Sequence, residues 1–189
     1  TNGTGWGAPS GPNPRTPNTY GHILEISHAG GDHSLLTMRW SVYLLGGDPA
    51  FDPTVQLNAS NIFGSPDGYW IDRDGRHWIQ TDISNGSQNR AGYVNIKNNM
   101  MLAADPANAD IRRFLTGPRG AEVTGVITTP DQKTMFVNIQ HAGESTTAWG
   151  APTPTNPRVV SNWPDQDPAG RPRGATVVIR RTDGGKIGA

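Results

Sequence analysis

The stretch that decides the fold is GSPDGYWIDRDGRHWIQTD, residues 64–82. It contains two short runs rich in aromatic and β-branched residues, 69–72 and 77–81, and such runs are typical of strands. Between them lies Arg73-Asp74-Gly75, and the Asp-Gly pair tolerates the positive φ angles that a tight hairpin turn requires. The stretch therefore predicts a β-hairpin.

Two further strands follow this hairpin. Residues 99–104 and 111–115 are β-rich runs, and the segment that joins them, residues 105–110, contains Pro, Asn and Asp. Four strands within about fifty residues predict one four-stranded antiparallel sheet.

The pattern of strands and turns recurs later in the chain. When the sequence is shifted by 57 residues, Gly68 aligns with Gly125, and after a one-residue insertion Trp78 aligns with Phe136. Repeats of about 40 to 50 residues with four strands each are typical of the blades of a β-propeller. We therefore expect an all-β chain made of propeller blades.

The remaining elements give the number of blades. A hairpin, residues 20–26 and 35–45, precedes the first repeat, and a long loop, residues 48–65, connects the two. The second repeat contains a proline-rich excursion, residues 141–173, before its third strand, residues 175–181, and no fourth strand follows. The sequence thus predicts a partial β-propeller of about two and a half four-stranded antiparallel blades.

An open stack of this kind exposes sheet edges and blade faces, which argues for additional blades upstream. We divide the chain into an irregular N-terminal arm, residues 1–19, and the C-terminal blades of a propeller domain, residues 20–189. We expect the second part to be incomplete without upstream residues.

Composition excludes several classes of protein. The chain has 16 acidic and 16 basic residues, so its formal net charge is zero and no basic surface field favours nucleic acid. No apolar run is long enough for a membrane span, and the first residues lack the pattern of a signal peptide, so we place any export signal upstream. The absence of cysteine rules out disulfides and thiol chemistry within this chain.

Several motifs resemble, in this order along the chain, the C-terminal region of the PhoX-type alkaline phosphatase family. They are GSPDG at 64–68, WIQTD at 78–82, MLAADP at 101–106, RRFLTG at 112–117, EVTG at 122–125, MFVNIQH at 135–141, SNWP at 161–164 and ATVVIR at 175–180. The resemblance implies a six-bladed propeller exported to the periplasm or secreted, which hydrolyses small phosphomonoesters with calcium and iron bound in its central channel. It also places much of the metal cluster, including a cysteine ligand, in blades upstream of this chain.

Four residues are candidate metal ligands. Asp67 and Glu122 lie near the start of the inner strand of their repeats, where groups from several blades converge and carboxylate oxygens can hold a hard cation. Asp82 and His141, at the ends of the second strands, are further candidates. The alternatives are a turn aspartate in Pro-Asp-Gly for Asp67, a turn cap for Asp82 and a hydrogen-bonded structural residue for His141.

Arg171 and Arg173, in a loop before the last strand, are candidates for phosphate binding, because phosphoryl transfer needs positive donors at the phosphoryl oxygens. The alternative is a pair of solvated loop arginines.

At the level of the whole protein, we expect a metal-dependent phosphomonoesterase whose isolated C-terminal segment is inactive. A lactonase-like metal-dependent propeller and a non-catalytic binding propeller are the alternatives.

Overall fold

The computed structural model describes residues 9–108 and 110–189. Within these ranges the chain consists of loops, antiparallel strands and two short 3-10 helices, Ala29–Gly31 and Ala91–Tyr93. None of its described helices has the length and apolar character needed to cross a membrane. The strands are β1 (His22–Ser27), β2 (Arg39–Leu45), β3 (Pro66–Ile71), β4 (His77–Thr81), β5 (Met100–Asp105), β6 (Asp110–Thr116), β7 (Glu122–Thr128), β8 (Thr134–Gln140) and β9 (Ala175–Arg180).

These strands form three antiparallel sheets within the described ranges. The first sheet is β1–β2, the middle sheet is β3–β4–β5–β6 and the third sheet is β7–β8–β9. Two, four and three strands correspond to half a blade, one blade and three-quarters of a blade. The all-β prediction and the predicted grouping of strands are therefore confirmed.

The first hairpin is shorter than the sequence predicts. β1 begins at His22 instead of Tyr20, because Gly21 has a left-handed φ of 73° and the Tyr20 side chain turns into the core, where it is 6% exposed. β2 begins at Arg39, because the preceding residues belong to an exposed connection in which Leu36 is fully exposed. The apolar residues of this connection have the sequence pattern of a strand. They differ from a strand in the structure only because no other described segment packs against them.

The inner strands of the middle and third sheets share a β-bulge at the aligned glycines. The register of β3 on β4 shifts by one residue around Gly68, and that of β7 on β8 shifts at Gly125. A Cβ atom at Gly68 would lie 2.4 Å from Gln80 Oε1, and Gly125 has a φ of 53°. The repeated glycine therefore reflects a repeated bulge, which redirects the start of each inner strand.

Trp78 is the centre of the packing between the middle and third sheets. It is fully buried, packs edge-to-face on Phe114 with ring centroids 4.9 Å apart, and donates its indole N–H to Asp72 Oδ2 at 2.9 Å. Its hydrogen bond satisfies the polar end of the indole, and its rings fill the space between the sheets. The same core contains Met101, Ala121, Val123, Met135, Val137 and Ile139.

A second core lies between the middle sheet and the segments that precede it. Phe63, Ile79 and Leu102 are fully buried there. Arg15 stabilises the N-terminal edge of this region, since its guanidinium donates to the carbonyl oxygens of Gly21 and Gly46. Arg15 thereby ties the N-terminal segment to both ends of the first hairpin, and the Gly47 N–H, which donates to the carbonyl of Phe63 at 2.7 Å, joins that hairpin to the segment before β3.

The segment after β9 returns to the middle sheet, and it adds no fourth strand to the third sheet among the described residues. Ile187 is buried and donates its N–H to the carbonyl of Gln132 at 2.9 Å. Lys186 Nζ pairs with Asp74 at 2.9 Å, and Arg76 donates to the carbonyl of Ile187 at 3.3 Å. The C-terminal residues therefore connect the third sheet to the hairpin turn of the middle sheet.

Replacing Trp78 with alanine should lower the free energy of unfolding by about 3–5 kcal/mol, because it leaves a cavity between two sheets. Urea denaturation followed by circular dichroism measures this change. Trp40→Ala is the matched control: Trp40 is 45% exposed, so about 1 kcal/mol or less is expected there. Equal losses for the two variants would contradict the central role of Trp78.

Candidate functional site

The four candidate ligands lie on one edge of the two packed sheets. In each antiparallel inner pair, the start of the first strand lies beside the end of the second, as Pro66 beside Thr81 and Glu122 beside Gln140. Asp67 follows Pro66 in β3, and Asp82 comes directly after β4. Because β7 packs against β3 and β4, the two pairs of strand ends are brought together.

Glu122 is the most buried of these acids, since its side chain is 11% exposed. His141, directly after β8, lies beside it, with Nε2 of the imidazole 3.5 Å from Glu122 Oε2. The other ring nitrogen, Nδ1, lies 3.0 Å from Glu144 Oε2 and 3.3 Å from the carbonyl oxygen of Gly120. The His141 imidazole therefore lies between two carboxylates, and its contacts with Glu144 and Gly120 orient Nε2 toward Glu122.

The carboxylates also act on one another electrostatically. Although Asp82 is exposed, partial desolvation raises its pKa, and the charges of Asp67 and Glu144 raise it further, against a lowering by His141. Burial, followed by the charges of Asp82 and Asp67, raises the pKa of Glu122, while His141 opposes this shift. Both acids therefore lie in a region of excess negative charge that favours a cation or a proton.

The fully buried side chain of Asn99 holds the segments that carry two of these acids. Its Oδ1 accepts hydrogen bonds from the Thr81 hydroxyl and the Ile83 N–H, on either side of Asp82. Its Nδ2 donates to the carbonyl of Ala121 at 2.9 Å, next to Glu122. Asn99 thus fixes the end of β4 relative to the start of β7.

This donor set fits part of a site for a hard cation. Calcium prefers carboxylate and carbonyl oxygens, and three carboxylates lie at this edge with two of them at raised pKa. Across residues 9–108 and 110–189, however, no three His, Asp or Glu side chains are close enough together to form a metal site on their own. The described residues therefore do not form a metal site by themselves.

Arg171 and Arg173 lie near the cluster but belong to a surface loop. Arg173 forms a bidentate pair with the exposed Asp165, with distances of 2.9 and 3.1 Å. Arg171 is exposed and makes no side-chain hydrogen bond within the described part of the chain. Pro172, between the two arginines, packs closely on Gly143: a Cβ atom at Gly143 would lie 2.4 Å from Pro172 Cγ. The loop therefore passes beside the residue that precedes Glu144. Their role in binding phosphate stays a prediction.

The sequence did not predict two residues of this site, Glu144 and Asn99. Glu144 lies in an irregular segment three residues after His141, and only the fold of that segment brings it to the imidazole. Asn99 is one of several asparagines in a polar stretch, and nothing in the sequence distinguishes it. The local sequence carries no signal for either role, because both depend on contacts between distant segments.

The chain is similar to proteins of one known family. The family model described as alkaline phosphatase PhoX matches residues 1–143. No curated protein matches the chain.

A solved structure of Pseudomonas fluorescens PhoX, in complex with vanadate, a transition state analogue, is similar to this chain with a TM-score of 0.84 and 40% sequence identity. The match covers 100% of this chain and 31% of the Pseudomonas chain, so this chain spans less than a third of that protein's length. The agreement of the family model and the solved structure shows that the chain belongs to the PhoX alkaline phosphatase family.

Proposed function

We propose that the chain is the C-terminal part of a metal-dependent phosphomonoesterase and contributes ligands to a metal site in the channel of a larger propeller. The observation that carries the proposal is the convergence of Asp67, Asp82 and Glu122 at one edge, in a chain of the PhoX family. The vanadate complex of the Pseudomonas relative supports phosphoryl transfer as the chemistry.

Carboxylate oxygens of Glu122, Asp67 and Asp82 would hold calcium, with the remaining ligands supplied by other blades. A bound cation would supply positive charge that stabilises the phosphoryl oxygens as negative charge develops on them. His141 orients Glu122 in this arrangement and is itself a candidate ligand. We include iron in the proposal only because of the family resemblance. That resemblance implies a cysteine ligand for the metal cluster, and this chain has no cysteine.

The substrate in this proposal is a small phosphomonoester, and the protein acts after export to the periplasm or the medium. The isolated segment is inactive, because the missing ligands and phosphate donors lie in other blades. Membership of the PhoX family favours phosphoester hydrolysis over lactone hydrolysis, which the Pro-Asp-Gly start by itself left open.

Glu122→Gln in the full-length protein should remove one metal ligand without changing the shape of the side chain. We expect turnover of p-nitrophenyl phosphate to fall by about 10–100-fold or more, the scale seen when groups that support a metal are removed. Bound calcium, measured by plasma mass spectrometry after purification without chelators, should fall as well.

Glu25→Gln is the matched control, since Glu25 is an exposed carboxylate on β1 whose side chain accepts a hydrogen bond from Ser41. It should keep both activity and metal. Full metal content and full turnover in Glu122→Gln would remove Glu122 from the site.

Asp82→Asn should stabilise the metal-free protein at pH 7 and destabilise the calcium-loaded protein. The pKa of Asp82 is raised in the folded state, so the ionised carboxylate opposes folding, and this unfavourable contribution disappears as pH falls through the raised pKa. The thermal midpoint in chelator should therefore be higher for the variant at pH 7, and the difference should shrink as the pH is lowered toward 3.8, the ordinary pKa of an aspartate.

Asp131→Asn provides the control, because that exposed turn carboxylate accepts hydrogen bonds from the Thr129 hydroxyl and the Lys133 N–H, and its pKa is lowered. Its variant should gain no stability in chelator and should respond to calcium as the unsubstituted protein does. A lower midpoint for Asp82→Asn in chelator would contradict the proposed repulsion.

Asn99→Ala should weaken calcium binding about tenfold or more although it removes no ligand, because supporting residues affect metal affinity on this scale. It should also destabilise the fold by about 1–3 kcal/mol, since buried backbone groups lose their partners.

Ile62→Ala is the control for stability alone, since Ile62 is buried in the other core and its loss costs about 2–5 kcal/mol. Calcium titration of the two variants separates the roles. Equal calcium affinity in both would mean that Asn99 acts only on stability.

A further inference from the structure

Arg119 lies at the tip of a tight turn directly before β7. The Ala121 N–H donates to the carbonyl of Pro118 at 3.3 Å, and Gly120, the third residue of the turn, has a left-handed φ of 65°, as a type II turn requires. The carbonyl of Arg119 accepts a hydrogen bond from the Gly143 N–H at 3.1 Å. The backbone of Arg119 is therefore fixed, and its side chain is exposed.

Trp149 lies on a short hairpin in the long segment before β9. Thr146 and Gly150 exchange two backbone hydrogen bonds of 2.8 and 2.9 Å, and the Trp149 N–H donates to the Thr146 hydroxyl at 3.1 Å. The Thr147 N–H donates to the carbonyl of Asn85 at 3.2 Å. The hairpin is thereby attached to the segment that follows β4.

The side chains of Arg119 and Trp149 stack on each other between these two fixed segments. Cζ of the guanidinium lies over the indole, 5.1 Å from the ring centroid. Within residues 9–108 and 110–189 the guanidinium forms no hydrogen bond or ion pair. Stacking uses the flat face of a guanidinium and leaves its N–H edges open, and these edges match the oxygens of a carboxylate or a phosphate. Arg119 is therefore an oriented cation whose hydrogen-bond donors are unused.

The stacked pair lies at the rim of the carboxylate cluster. Arg119 is three residues before Glu122, and Asn85, which holds the Trp149 hairpin, is three residues after Asp82. Among the described residues, the charges that act on the pKa of Glu122 and Asp82 come from acids and the imidazole of the cluster, and the charge of Arg119 is not one of them. Its donors are thus beside the cluster without neutralising it.

We propose that Arg119, oriented by Trp149, binds a second acidic group of the substrate, carried by the part of the phosphomonoester that leaves. The reacting phosphoryl group lies at the cation that the carboxylates hold, and a carboxylate or further phosphate on the leaving group reaches the rim and pairs with the guanidinium. The inference rests on the proposed function, because it places the phosphoryl group at the carboxylates. It narrows the substrates to small phosphomonoesters that carry an additional acidic group.

Binding of two phosphonates to the full-length protein, purified without chelators, tests the proposal without requiring turnover. Phenylphosphonate and 4-carboxyphenylphosphonate share a phosphoryl-like head that is not hydrolysed, and only the second has a carboxylate at the far end of the ring. Isothermal titration calorimetry gives both dissociation constants for the unsubstituted protein and for each variant. Arg112→Gln is the matched control, since it removes the same charge from an exposed arginine on β6 that pairs with Asp110.

We expect the unsubstituted protein to bind 4-carboxyphenylphosphonate about tenfold or more tightly than phenylphosphonate, because a charged hydrogen-bonded pair contributes on this scale. Arg119→Gln should remove the preference and leave the affinity for phenylphosphonate unchanged. Trp149→Ala should reduce the preference, because the guanidinium keeps its charge and loses its orientation, whereas Trp149→Phe should retain most of it. Arg112→Gln should retain all of it.

Equal affinities of the two phosphonates for the unsubstituted protein would overturn the proposal. An equal loss of both affinities in Arg119→Gln would also overturn it, because the guanidinium would then bind the phosphoryl head. If Arg119→Gln does not fold, Arg119→Lys replaces it and should lose most of the preference, since an ammonium cannot form the bidentate pair. Failure of the proposed function is a separate result, in which the unsubstituted protein does not turn over p-nitrophenyl phosphate.

Discussion

The hydrogen bonds of the buried Asn99 amide are the constraint on which the candidate site depends. One side chain accepts from the segment around Asp82 and donates to the carbonyl that precedes Glu122. These acids are forty residues apart in sequence and belong to different sheets. A fully buried amide that satisfies backbone groups of both segments leaves them little freedom to move apart. The position of the carboxylates is therefore fixed by a neutral group that carries none of the charge.

Packing around Trp78 makes this arrangement possible. The indole fills the space between the middle and third sheets, and its N–H is satisfied by the buried carboxylate of Asp72. Asp72 also accepts from the backbone N–H groups of Asp74 and Arg76, so one carboxylate closes the hairpin turn and holds the tryptophan. Apolar burial supplies the stabilisation, and the hydrogen bonds select a single orientation of the sheets.

The ionised carboxylates of Asp82 and Glu122 destabilise the folded state. Raised pKa values for Asp82 and Glu122 mean that their ionised forms oppose folding at neutral pH. A fold that keeps such acids together fits a role in binding a cation, because a cation converts the repulsion into attraction. Glu144 and His141 extend the same polar cluster into the long segment before β9.

The sequence by itself determined the strands, their grouping and the family. Alternating apolar residues, Asp-Gly turns and the glycine repeat are local features, so they predicted the middle and third sheets to within a few residues and placed Asp67 and Glu122 at the starts of inner strands. Only the tertiary structure decided which segments lie together around these acids. Asn99, Glu144 and the return of Ile187 to the middle sheet depend on contacts between residues far apart in the chain. Local patterns carry no record of such contacts, because the energy of a buried hydrogen bond depends on the partner that the fold supplies.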